Sequence, residues 1–291
     1  MSDLSSGARS SSAAPITLIA IDIDGTLLDG RSKLPEANRV AVGAASAQGV
    51  EIVLATGRSF HHAQPIADLV GLDVVLMVNN GALTKTAAGA TLDRRSVPRD
   101  LARELVTATR KIRSGAALIF DRPDQRQYVW EGIDWSHPQR RWYYEKNQRF
   151  MTHSDDLVAA IDDDPIQVAF TGGVEEMRTL AAHVREFPWA SLLTLTLTEY
   201  EARDFSLFDV TADGCSKGSA LADWTTRRGI SPDEVMAVGD NLNDLAMLEF
   251  AGHPVVMGNA VAELKECGWP VTASHDEAGL AQAIDRLVLS S

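Results

Sequence analysis

Asp22 and Asp24 stand two residues apart, just past the apolar run Ile16–Ile21. Asp240 and Asp244 stand four apart, behind a second such run, Val235–Val238. Carboxylates gathered at the ends of buried strands repel one another and lose hydration, so they persist where a positive charge compensates. Four acids aimed into one crevice call for a hard cation with oxygen ligands. Mg2+ suits them, because it takes few carboxylates and keeps waters and substrate phosphate oxygens in its shell. Any one of these acids alone reads equally well as a helix cap or a turn residue; the combination carries the argument. Thr56 can donate its hydroxyl to a phosphate oxygen. Lys217, at a helix start after Gly214-Cys215-Ser216, can neutralise acids and phosphate together, although the commonest fate of a lysine is the surface. Gly25 and Gly57 would let backbone amides approach an anion closely. Arg58 reads as a phosphate ligand or as a structural ion-pair partner. His61 and His62 follow it, but a hard cation prefers oxygen, so they read as a packing and a surface histidine.

These residues need elements to position them. Five short apolar runs, Ile16–Ile21, Val50–Ala55, Val74–Val78, Val235–Val238 and Pro254–Met257, predict strands buried on both faces of a parallel sheet. Helical patterns lie between them at Pro35–Gln48, Phe60–Val70 and Ser216–Arg228, each followed by a glycine that can stop a helix. The alternation predicts an α/β fold with a doubly wound, Rossmann-like parallel-sheet core. Every run leads into a small or polar cluster, namely 22–26, 56–58, 79–81, 239–244 and 258–260. Ligands of open α/β sheets bind beyond the carboxyl ends of the strands, so the clusters should converge on one crevice.

The alternation pauses from about Thr84 to Leu207, and this stretch has helical patterns at Leu101–Ile112 and Val174–Phe187. Strand patterns fall at Ala116–Phe120, Gln127–Trp130, Ile166–Phe170 and Leu192–Thr198. So long an insert with its own elements is a domain. The expected organisation is a tail at 1–14, a core of 15–83 and 208–291, and an inserted α/β cap at 84–207. Residues 84–207 hold 17 basic and 19 acidic residues, net −2, whereas the remainder holds 10 and 21, net −11. Within the insert, 84–149 carries 14 basic and 8 acidic residues, net +6, interleaved with Trp130, Trp135, Trp142, Tyr143 and Tyr144. That stretch reads as a surface drawing in an anionic, ring-containing substrate, or as solvated arginines around a small aromatic core.

The motifs together resemble the haloacid dehalogenase superfamily of Mg2+-dependent phosphatases. The four signatures stand as Asp22-Ile23-Asp24-Gly25-Thr26-Leu27, Thr56 in Ala55-Thr56-Gly57-Arg58, Lys217 in Ser216-Lys217-Gly218, and Gly239-Asp240-Asn241-Leu242-Asn243-Asp244. Asn80-Gly81-Ala82 and Val256-Met257-Gly258-Asn259-Ala260 further resemble the Cof-type branch, subfamily IIB, with its C2-type α/β cap. The resemblance implies that Asp22 is the nucleophile, forming an aspartyl-phosphate, and that Asp24 is the general acid and then the base. It implies that Asp22, the backbone carbonyl of Asp24, and Asp240 hold Mg2+, with Asp244 in support. Thr56 and Lys217 would orient and neutralise the phosphoryl group, and Asn243 would contact phosphate or metal waters. Superfamily ATPases carry Thr where Asp24 stands, so hydrolysis of a small phosphate ester is implied. Asp121–Phe150 carries no recognisable substrate signature.

The alternatives are a sugar phosphomutase using the same aspartyl-phosphate and a non-catalytic binding module on the same fold. A dinucleotide-binding protein lacks support, because no G-x-G-x-x-G loop follows the first strand. The chain has 291 residues and a formal charge of −13, which argues against binding nucleic acid. No apolar run approaches the length of a membrane span, and residues 1–14 lack the pattern of a secretory signal. The two cysteines, Cys215 and Cys267, have no metal-site spacing and suit a reduced, cytoplasmic protein. Oligomeric state has no signature here.

Overall fold

The computed structural model describes residues 14–290, so the expected tail lies, Ala14 apart, outside the described residues. The first elements are β1 (Leu18–Asp22), α1 (Glu36–Ala47), β2 (Glu51–Ala55), α2 (Phe60–Val70), β3 (Val75–Val78), β4 (Leu83–Thr86) and β5 (Thr91–Arg94). Next come α3 (Arg99–Thr109), β6 (Ala116–Ile119), β7 (Tyr128–Glu131), α4 (Pro138–Asn147), β8 (Met151–His153), β9 (Gln167–Gly172) and α5 (Val174–Arg185). The chain continues through β10 (Leu193–Tyr200), β11 (Phe205–Ala212), α6 (Lys217–Arg228), β12 (Val235–Gly239), α7 (Leu245–Phe250), β13 (His253–Val256), α8 (Ala262–Lys265) and α9 (Gly279–Ile284). The five expected core strands are all present, within two residues of the expected bounds. Gly49, Gly71 and Gly229 each take positive φ, as helix stops do.

The chain divides into two compact units. The first comprises 14–54, Leu69–Val74 and 221–290. Its sheet runs in the order β13-β12-β1-β2. β1 pairs in parallel with β12 from Leu18↔Val235 to Ile21↔Val238, and β12 pairs in parallel with β13. Every residue of β1 and β12 is buried, the signature of central strands covered on both faces. A fully buried Asn38 in α1 donates to the Leu27 carbonyl (2.9 Å) and accepts from the Ala281 amide (3.1 Å), tying the turn after β1 to α9.

The second unit comprises Ala55–Asp68 and Val75–Ala220. It opens with the antiparallel ribbon β3-β4-β5 and continues into a six-stranded sheet ordered β10-β11-β9-β6-β7-β8. Alternate residues of these strands, Leu118 and Phe120, Val168 and Phe170, Phe208 and Val210, form one core with Leu105 and Val106 of α3 and Met177 and Leu180 of α5. Phe170 and Phe208 stack at 5.6 Å. Each such ring contributes about 1.5–3 kcal/mol by leaving water. Because side chains alternate across a strand, Thr196, Asp209 and Ala169 take the opposite face. On that face Arg140 of α4 donates to the Thr171 hydroxyl (3.2 Å), and Tyr143 of α4 meets Tyr128 of β7 edge to face.

The sequence boundaries at 84 and 207 both fall inside strands, β4 and β11. The ribbon β4-β5, helix α4, the three-residue β8, strand β11 and the short helices α7, α8 and α9 are additions to the expected elements. Among the described residues no helix is long and apolar enough to cross a membrane. Cys215, buried, and Cys267, exposed, are both free thiols.

Candidate active site

In the first unit β1 runs buried into Asp22 and then turns sharply. The Leu27 amide returns to the Asp22 carbonyl at 3.1 Å, and the Leu28 amide to the Ile23 carbonyl at 3.0 Å. This loop holds Asp22 buried and leaves Asp24 exposed. Beyond β12, a short turn carries Asn241, Leu242 and Asn243, all exposed, and ends at the fully buried Asp244. The Asp244 carboxylate accepts the Asp240 amide (2.9 Å) and the Asn241 amide (3.0 Å), which closes the turn and orients the Asp240 side chain.

Asp22, Asp240 and Asp244 place carboxylate oxygens within 4.8 Å of one another. Two of the three are buried, so neither water nor distance relieves their repulsion. An all-oxygen donor set of this density fits a hard divalent cation. The fourth expected acid, Asp24, does not bring its carboxylate into this group.

The surroundings are built to keep the acids close. Gly25 has φ +85°, and a Cβ there would collide with the Asp240 carboxylate, so no other residue fits without moving it. Thr26 donates to Asp240 Oδ1 at 3.4 Å. The Asn259 amide nitrogen reaches the Gly25 carbonyl (2.8 Å) and Asp240 Oδ2 (3.4 Å), while its oxygen accepts the His275 amide (2.8 Å). Asn259 and His275 therefore support the loop. The first was legible as part of a polar strand end and of the Cof-type motif, the second not at all.

The second unit holds the remaining candidates. Thr56, buried, donates its amide to the Met77 carbonyl (2.8 Å), and its hydroxyl accepts the Arg58 amide (3.1 Å). Gly57, in the same loop, is exposed. The Asn80 amide donates to the Thr56 carbonyl (3.0 Å) and the Asn79 amide to the Arg58 carbonyl (2.9 Å). Both asparagines take left-handed backbone, with φ of 51° and 53°, which Asn tolerates better than most residues with a Cβ, and these bonds hold the turn. Gly81 follows, and a Cβ there would strike the Ser216 carbonyl, immediately before Lys217. Lys217 begins α6 and is fully buried, which departs from the ordinary surface fate of lysine. His61 stacks on Phe150 (3.8 Å), and burial, then the Arg149 charge, pushes its imidazole below the usual range. His62 meets Asn147 Oδ1 at 2.7 Å and stacks on Tyr143. Both histidines pack, although the sequence reading made one of them a surface residue.

A family model for haloacid dehalogenase-like hydrolases matches residues 19–284. The HMP-PP phosphatase of Serratia proteamaculans is 30% identical over 85% of this chain and 86% of its own. The chloroplastic endoribonuclease YBEY of Arabidopsis thaliana is 29% identical over 92% of this chain, which spans only 46% of that protein. The solved structure of the phosphatase BT1666 from Bacteroides thetaiotaomicron superposes with a TM-score of 0.77 at 25% identity, covering 97% of this chain and 99% of its own. With the family match running through both acid motifs and most of its length, the chain belongs to the haloacid dehalogenase-like hydrolase family.

Proposed function

We propose that this hydrolase is a Mg2+-dependent phosphatase of small phosphomonoesters, sugar phosphates first and nucleotide or cofactor phosphates next. The observation that carries the reading is the group Asp22, Asp240 and Asp244, three carboxylates within 4.8 Å with two of them buried. Mg2+ held there would supply the positive charge that these acids and a phosphoryl group both require.

In this reading Asp22 attacks phosphorus. The bond from phosphorus to the ester oxygen breaks as the bond to the Asp22 carboxylate forms. Asp24, exposed and outside the carboxylate group, protonates the leaving oxygen. It then takes a proton from water, whose oxygen attacks phosphorus and frees Asp22 and inorganic phosphate. The Thr56 hydroxyl and the Lys217 ammonium orient and neutralise the phosphoryl oxygens, with Gly25, Gly57, Arg58 and Asn243 as further phosphate contacts. The segmentation into a core at 15–83 and 208–291 and a cap at 84–207 belongs to the same proposal. So does a cytoplasmic setting, which the two free thiols favour.

The test is phosphate release from a panel of sugar, nucleotide and cofactor monophosphates with Mg2+ or EDTA, for wild type and Asp22→Asn. The expected result is Mg2+-dependent release, lowered at least ~10³-fold in the variant. Release that survives Asp22→Asn, or isomer formation without free phosphate, overturns it.

A further inference from the structure

The face of the six-stranded sheet that α4 partly covers carries one acid in an unusual setting. Strand register lines up Thr196, Asp209, Ala169, Ala117 and Trp130 across β10, β11, β9, β6 and β7. At about 4.8 Å per strand, Asp209 and Trp130 stand about 14 Å apart along this row. Between them lie only the two alanines, so the strip beside Asp209 is low; Ala169, Thr196 and Asp209 itself stay partly exposed, whereas Ala117, toward Trp130, is buried. Tyr128 and Tyr143, edge to face at 6.1 Å, belong to the same neighbourhood. Burial, and more weakly the Asp209 charge, raises both phenols, so they stay neutral.

Asp209 is held by a relay rather than by a cation. Asn79 Nδ2 donates to Gln167 Oε1 (2.9 Å), and Gln167 Nε2 donates to Asp209 Oδ1 (2.7 Å). Asn79 is itself bonded through its amide to the Arg58 carbonyl. A continuous path therefore joins the Thr56–Arg58 loop to Asp209. Among the described residues Gln167 is the one side-chain partner of Asp209. Burial pushes its carboxyl up to about 6 against that bond. Gln167 occupies only Oδ1, and the partly exposed carboxylate is left with lone pairs for a ligand's donors.

We propose that Asp209, Thr196 and the alanine strip at Ala169 and Ala117 form a subsite for the alcohol portion of the substrate, selecting leaving groups rich in hydroxyl or amino donors. This deepens the phosphatase reading and rests on it. The carboxylate presents acceptor lone pairs to such donors, and an alcohol without them leaves a desolvated carboxylate unpaired, the discrimination that polar sites achieve best. The alanines make room for a sugar-sized group, and the relay fixes the acid relative to the Thr56 loop.

The test compares Asp209→Asn with wild type in two measurements. The first is kcat/KM for hexose, pentitol and amino-sugar monophosphates relative to p-nitrophenyl phosphate, which carries no donor on its leaving group. The second is calorimetric binding of the corresponding free sugars, pentitols and amino sugars. Asn can still accept the Gln167 bond, so a merely structural Asp209 predicts a constant ratio. The subsite predicts that the ratio for the best donor-rich ester falls at least about tenfold, and that binding of its free alcohol is lost. Ala169→Leu, which fills the strip and keeps Asp209, should lower the same ratio. A ratio constant within about twofold in both variants overturns the subsite and leaves the phosphatase reading standing. Alcohol binding that is lost in Asp209→Asn, in a protein that releases no phosphate from any ester, keeps the subsite and overturns the phosphatase. Alcohol binding absent from wild type, with no release, overturns both.

Discussion

The first unit crowds its acids and the second isolates one. Asp22, Asp240 and Asp244 lie within 4.8 Å of each other, and Asp244 is anchored by two backbone amides. Asp209 has a neutral relay, a threonine and two alanines around it. Crowded carboxylates make sense with a cation and a reacting phosphoryl group. A solitary, half-buried carboxylate makes sense with a neutral donor that comes and goes. Under the two proposals the same side chain is set to two tasks by its neighbours, chemistry in one unit and recognition in the other.

The contrast can be broken most forcefully at the one buried cation of the expected catalytic set. Lys217 is fully buried at the start of α6. If it neutralises the transferring group, Lys217→Met lowers kcat by roughly 10²–10³-fold while the variant stays folded by circular dichroism. A loss confined to KM would move Lys217 from the chemical step to binding.

Stability separates the two kinds of acid by sign. Asp244→Ala removes the acceptor of two backbone amides in a buried turn, and about 3 kcal/mol should be lost in urea unfolding. Asp209→Asn should go the other way. The folded-state carboxyl titrates near 6 against an ordinary value of 3.8, so the folded protein holds that proton more tightly. Stability therefore falls as pH rises from the unfolded value through the folded one, and the penalty is complete above about pH 7. The asparagine variant should gain up to about 2 kcal/mol at pH 7.5, and the gain should vanish below pH 4. A loss of stability at both pH values would make Asp209 a structural acid like Asp244 and dissolve the comparison.

The chemistry was more legible in the sequence than the recognition, for physical reasons. Strands buried on both faces leave unbroken apolar runs, and β1 and β12 show them. Each ends in acids that only a cation justifies, so Asp22, Asp240 and Asp244 could be grouped before any coordinates. The Asp24 carboxylate was grouped with them and stands apart, because spacing places a residue on a loop without fixing where its side chain points. Helix α4 was read only as a basic, aromatic stretch: Trp142, Tyr143 and Tyr144 are consecutive and make no helical period. The three residues of β8 are too few to show alternation. Gln167 opens β9 and Asp209 sits in the middle of β11, strands of mixed apolar and polar residues. They belong to no motif, and only the register of β11 against β9 brings out their relation. Tertiary pairing brings the two residues together, and local sequence does not encode it.

The account's central claim is that Asp22 carries the phosphoryl group during turnover. The most direct measurement is an acid quench during steady-state hydrolysis of the best ester with Mg2+ present, followed by peptide mapping by mass spectrometry. The account predicts one phosphoryl adduct on the peptide containing Asp22, lost on hydroxylamine treatment and absent from Asp22→Asn. An adduct on another residue, or undiminished turnover by the Asp22→Asn variant, would contradict it.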